Sequence, residues 1–114
     1  MGPGEIHLAM FPFGGTIGAK LRPVLMLTGP LGSVPEVLTA FMTSVVPATL
    51  LSTDILMDPK QPQHTRSGLK QVTLLRLHKL ATIHDSDVVR RIGELSPTTW
   101  TEVEAKLRSL LNFP

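Results

Sequence analysis

Arg22 stands directly before Pro23 in the stretch GAKLRPVLML, residues 18 to 27, where two cations, Lys20 and Arg22, run into an apolar segment. A proline biases the residue before it toward extended backbone, which fixes the start of that side chain at a strand mouth. A guanidinium held there offers a planar fork of donors matched to phosphate oxygens. Thr43 and Ser44 close another apolar run, AFMTS, and their hydroxyls would join the same phosphate site if the two strands are neighbours. The residues alone leave a second reading open, in which Arg22 bonds loop carbonyls and the hydroxyls bond backbone.

Other chemistries lack candidates. There is no cysteine, so disulfides, thiolate metal sites and cysteine nucleophiles are excluded together. The four histidines, His7, His64, His78 and His84, show neither the spacing nor the carboxylate company of a metal site, so neither a metal nor another cofactor is expected. Asp85 and Asp87 suit a helix start, Asp54 and Asp58 flank a strand and a turn, and Glu102 and Glu104 fall on the solvated face of the last helix. GGTIGAK is glycine-rich and ends in lysine, yet no Gly–Lys–Ser/Thr run closes it and a strand follows, so it is not a phosphate-cradling loop.

The elements that must position these groups are mostly strands. EIHLAMF alternates Ile6, Leu8 and Met10 against His7 and Ala9, the pattern of a half-buried strand. A long glycine-containing loop leads to a second strand over residues 22–28, and TGPLGSVPE leads to a third over VLTAFMTS. A short strand is expected over residues 53–57, then a proline- and glutamine-containing loop, then the longest β-like run, VTLLRLHKLATI. Beyond it, Asp85 or Ser86 is expected to cap a short helix through Ile92, stopped by Gly93. A longer helix begins at Ser96 and Pro97, or through a Thr99–Glu102 capping box, with Trp100, Val103, Leu107, Leu110 and Leu111 as the stripe that packs on the sheet. The expected layout is α+β, mainly β: a small barrel or sheet with helical cover.

At 114 residues the chain has the length of one domain, spanning 1–114, and buries roughly two thirds of its unfolded surface. Hydrophobic residues at 42% and charged residues at 18% describe an ordered globular chain. Apolar runs broken by proline fall short of a membrane span, and MGPGEIH lacks a signal-peptide pattern, so a cytoplasmic protein without a membrane partner is expected. Net charge is +2, but from Thr16 to His84 seven Lys and Arg stand against three acids, an excess that would favour a polyanion. Only five aromatic residues and no tyrosine disfavour a reader that works by base stacking.

GEIHLAMFPF, the glycine-rich loop, KLRPVLML, AFMTS, the GL of SGLKQ, RLHKLATI and RRIGEL resemble, in order, the successive signatures of the MazF/PemK family of ribonuclease toxins. The resemblance runs from Gly4 to the last helix, and GEI…FPF and KxRPVLxL are its most specific parts. It implies a MazF/CcdB-type SH3-like barrel with C-terminal helices, assembled as a homodimer. It also implies sequence-selective, metal-independent cleavage of single-stranded mRNA by 2′-hydroxyl attack. The implied partner is a cognate antitoxin protein, with DNA bound only through that antitoxin. By the same resemblance Arg22 and Thr43 are the catalytic residues, and the loop bearing Phe13 and Thr16 borders the RNA. Ser44, Lys20, Arg76, His78 and Lys79 are the further candidates for RNA contact.

Two departures bear on mechanism. TIGAKL lacks the acid that many members carry shortly before the arginine, and His78–Lys79 stands where an acid–Gln pair is usual. Arginine, with a pKa above about 12, is a poor base, so His78 is the candidate if it faces the groove. The same fold also serves a class that poisons DNA gyrase without cutting RNA, and an inactive toxin homologue that only binds antitoxin is a third reading. The arginine–proline and Met–Thr–Ser pair favours the nuclease, because a gyrase poison has no use for it.

Overall fold

The computed structural model describes residues 1–11 and 20–114. Six strands follow in chain order: β1 (Glu5–Phe11), β2 (Lys20–Met26), β3 (Glu36–Thr43), β4 (Asp54–Met57), β5 (Thr73–His84) and β6 (Val88–Glu94). One helix, α1 (Pro97–Leu111), closes the chain. The strands form one antiparallel sheet in the order β4-β5-β3-β2-β1-β6. Among the described residues no helix is long and apolar enough to cross a membrane.

The sheet is covered on both faces. Ile6, Leu25, Met42, Leu75, Leu77 and Val103 belong to a core under the helix, while Ala9, Phe11, Val24, Met26, Val37 and Phe41 form a second core. The side of β1 expected to meet solvent therefore does not: His7 and Ala9 are buried and Met10 of the other set is exposed. The two ends of the sheet share the helix-side core, to which Ile55 and Met57 of the edge strand β4, Ile6 of β1 and Leu95 just beyond the other edge strand β6 all belong. The sheet is thus curled toward closure, the small barrel expected, and the Glu94 amide donates to the Arg66 carbonyl at 2.9 Å across the seam.

That seam depends on two glycines. A Cβ on Gly93 would lie 2.3 Å from the Ser67 carbonyl, and one on Gly68, whose φ is +72°, would lie 1.9 Å from the Ile92 carbonyl oxygen. Neither position has room for a side chain, so the loop after β4 packs backbone to backbone on β6.

The expected short helix through Ile92 is instead a 3₁₀ turn at Asp85–Asp87 followed by β6. Polar residues at 84–87 do make cap-like bonds, the Ser86 amide donating to His84 Nδ1 at 3.0 Å. Val88, Val89 and Ile92 are β-branched, however, and the free edge of β1 offers them a ladder, so tertiary pairing wins over local capping. There is one terminal helix, not two. Ser96 caps it, its hydroxyl accepting from the Thr99 amide at 3.2 Å, with Pro97 at the first helical position. Its stripe packs through Trp100, Val103 and Leu107, but Leu110 and Leu111 are exposed, so the last turn runs past the sheet. Asn112 ends it in the left-handed conformation at φ 58°.

Candidate active site

Strands β2 and β3 are ladder-paired only at Val24–Phe41, Leu25–Ala40 and Met26–Thr39. Beyond Val24 and Phe41 they part, and a cleft of about 680 Å³ opens between residues 20–23 of one and 42–45 of the other. Arg22 and Thr43 each lie two residues past that last pair, on the same face as it, and both line the cleft. The two residues with the strongest chemical promise, distant in sequence, are therefore neighbours because an antiparallel pair ends where the proline fixes the chain.

Each is poised differently. Thr43 is buried, and its Oγ1 accepts from the Val45 amide at 3.1 Å. With that acceptor site used, the hydroxyl proton is free to be donated into the cleft. Arg22 is half-buried, and its guanidinium carbon sits 5.4 Å from the centre of the Phe41 ring. Among the described residues no carboxylate pairs with Arg22, and its buried Nε has no hydrogen-bond partner. Such a group costs about 1–3 kcal/mol in desolvation while unpaired.

Lys20 and Ser44 also line the cleft, at its exposed rim. The opposite wall comes from the seam: Lys70, Gln71, Arg90 and Arg91, with Gly68 and Ile92 between them. Five cationic side chains and no carboxylate or histidine thus line it among the described residues. Arg91 is partly neutralised, at 3.5 Å from Glu94 and 4.0 Å from Glu5. Glu5 in turn accepts from His7 at 2.9 Å, and that hydrogen bond, with the amino terminus and Arg91 nearby, holds its carboxyl below the usual 4.5.

The remaining expected contacts stand elsewhere. Arg76 bonds Asp54 through two donors, Nε to Oδ1 at 3.0 Å and Nη2 to Oδ2 at 3.2 Å, and is outside the cleft. His78 and Lys79 also lie outside the cleft lining, His78 exposed and Lys79 with its Nζ 5.0 Å from the Phe41 ring centre. A register shift explains this: β3 pairs Ala40 with Leu80 but Phe41 with Arg76, so residues 77–79 bulge from the ladder and are re-aimed. Phe13 and Thr16 lie outside the described residues. Among the described residues no group of three or more His, Asp or Glu could hold a metal ion.

Sequence reasoning missed Lys70, Gln71, Arg90 and Arg91 as a wall of the site. The available signal was paired glycines, in SGLKQ and RRIGEL, each beside a cation. Only the crossing of two backbones shows that they face one another.

The family described as the PemK-like, MazF-like toxin of type II toxin–antitoxin system matches residues 2–111. Comparison with curated proteins gave no match. Solved structures share the fold: the Mycobacterium tuberculosis toxin MazF-mt6 superposes with a TM-score of 0.72 at 24% identity, over 96% of this chain and 98% of that one. An endoribonuclease in complex with its cognate antitoxin from Mycobacterial species gives 0.70 at 15% identity, over 100% and 97%. A further endoribonuclease from Mycobacterial species gives 0.68 at 14%, over 100% and 93%.

Proposed function

Because the chain belongs to the PemK-like, MazF-like toxins of type II toxin–antitoxin systems, we propose that it is a sequence-selective endoribonuclease that cuts single-stranded mRNA in the cytoplasm and is held in check by a cognate antitoxin. The single observation that carries this reading is that Arg22 and Thr43, just past the end of the β2–β3 ladder, line one cleft rich in cations.

The chemistry follows from those groups. The ribose 2′-oxygen attacks the adjacent phosphorus, its proton leaving to water. Negative charge grows on the phosphoryl oxygens, and the bond from phosphorus to the 5′-oxygen breaks. A cyclic phosphate and a 5′-hydroxyl result once that oxygen takes a proton, for which Arg22 is the candidate donor. Arg22 stabilises the transition state, because its fork is already oriented and the cleft walls exclude part of the competing water. Thr43 donates its hydroxyl to the same oxygens. With no carboxylate or histidine among the described lining residues, and no titratable side chain within residues 12–19, catalysis rests on charge stabilisation and alignment rather than on a resident base.

The cation wall of Lys70, Arg90 and Arg91 would take the flanking phosphates, with DNA met only through an antitoxin and a homodimer as the working unit. Induction in a bacterial host tests the reading: growth arrest is expected, with new transcript ends at one recurring sequence carrying 5′-hydroxyls. Arrest without cuts would favour a binding toxin of the same fold, and neither effect would indicate an inactive homologue.

A further inference from the structure

A guanidinium that must meet a phosphate needs a partner that orients it without consuming its charge. In proteins that partner is often a carboxylate, which does both at once: Arg76 is held so by Asp54 in this same molecule. Arg22 has no carboxylate among the described residues, yet it is half-buried and its Nε is withdrawn from water. What it does have is the Phe41 ring, at 5.4 Å from centroid to guanidinium carbon. The same ring carries the Lys79 ammonium at 5.0 Å.

We propose that Phe41 is a positioning residue: its π-face holds the Arg22 guanidinium at the cleft, with Lys79 as a second cation on the same ring, leaving the Arg22 charge unneutralised for phosphate. The inference rests on the nuclease reading for its catalytic consequence. A cation within about 6 Å of a ring centre is attracted by the ring quadrupole, the more so where water is excluded. That attraction leaves the charge in place, and a guanidinium seated on a ring keeps its edge donors free, which an ion pair does not.

Three features make the platform rigid. Phe41 is 5% exposed, packed in the second core, and its centre lies 5.3 Å from that of Phe11 with the rings tilted at 36°. Its backbone is the last β3 position paired with β2, opposite Val24, so the ring sits one same-face step before Thr43 and diagonal to Arg22. The β5 bulge over residues 77–79 is what delivers Lys79 to it. One buried ring thereby ties the arginine strand, the threonine strand and the bulged strand to a single reference point.

The test replaces the ring's charge distribution while keeping its shape. Position 41 is occupied in turn by phenylalanine, 3,4,5-trifluorophenylalanine and leucine, and each protein is assayed for cleavage of a single-stranded RNA, for its unfolding midpoint, and by NMR for the Arg22 side-chain protons. We expect kcat to fall with ring electron density, about tenfold for Phe41→Leu, with KM moved less. The fluorinated protein should stay folded, its midpoint lowered only slightly by the weaker hold on two cations, and the wild-type Arg22 protons should show an upfield ring-current shift that Phe41→Leu abolishes. A fluorinated protein that cleaves at the wild-type rate, or wild-type protein lacking the upfield shift, overturns the inference. Wild-type protein that shows the shift but cuts no RNA removes the nuclease reading instead, and leaves the ring's hold on Arg22 standing.

Discussion

At the scale of single residues, the division of labour between Arg22 and Thr43 predicts different penalties. Thr43→Val keeps the volume and removes the donor, so cleavage should slow by about 10²-fold. Stability should barely change, since the Val45 amide that loses its acceptor belongs to an exposed residue that water can reach. Single-turnover kinetics beside a thermal melt would check both halves. Arg22 and Thr43 were legible in the sequence because a proline and a strand end flag them locally. Arg76, expected among the RNA contacts, is paired with a carboxylate that no local signal announces. Its partner Asp54 lies 22 positions away, and nothing local says that β4 and β5 set them opposite one another. Asp54→Ala strands a guanidinium whose side chain is 17% exposed and removes the turn bond that Asp54 accepts from the Leu51 amide at 2.8 Å. Denaturant unfolding should show a loss of about 3–5 kcal/mol; a loss near zero would mean that Arg76 is free for RNA after all.

Among the elements, the seam between the loop after β4 and strand β6 supports the far wall of the cleft. Gly93→Ala forces a Cβ into the Ser67 and Arg66 carbonyls, and neither is a flexible side-chain tip. It should cost about 2–3 kcal/mol and weaken RNA binding as well, because Gly68 and Ile92 line the cleft. Calorimetric melting with a filter-binding titration would measure both. Five of the six strands could be read from alternation and turn residues. β6 could not, because DSD followed by a downstream glycine mimics a capped helix, and only the unpaired edge of β1 decides otherwise. The bulge in β5 was equally silent: RLHKL reads as continuous strand, and the three extra residues appear only against β3.

For the molecule as a whole, charge and pH give the remaining expectations. Lys20, Arg22, Lys70 and Arg90 line the cleft without a carboxylate partner among the described residues, so neutralising four phosphates should give a log–log salt slope of about −3 for single-stranded RNA. A slope near zero would sink the cation wall. His64 is buried, its Nδ1 unpartnered, and burial lowers its pKa below 6.5 despite Glu102 and Asp58 nearby. Unfolding frees it to take a proton, so stability should be full above 6.5 and fall as pH drops below that value, and His64→Gln should flatten that window. Glu5 acts lower: its depressed carboxyl contributes stability above 4.5 that is lost as pH falls further. His64 lies outside the cleft lining, whereas Glu5 reaches it only through Arg91, 4.0 Å away. The most direct measurement is therefore single-turnover cleavage of one RNA by wild-type and Arg22→Ala protein, with product ends identified and folding verified by an unchanged melt. The account predicts cyclic-phosphate and 5′-hydroxyl ends from the wild type and a rate about 10²–10³-fold lower from the variant; equal rates would contradict it.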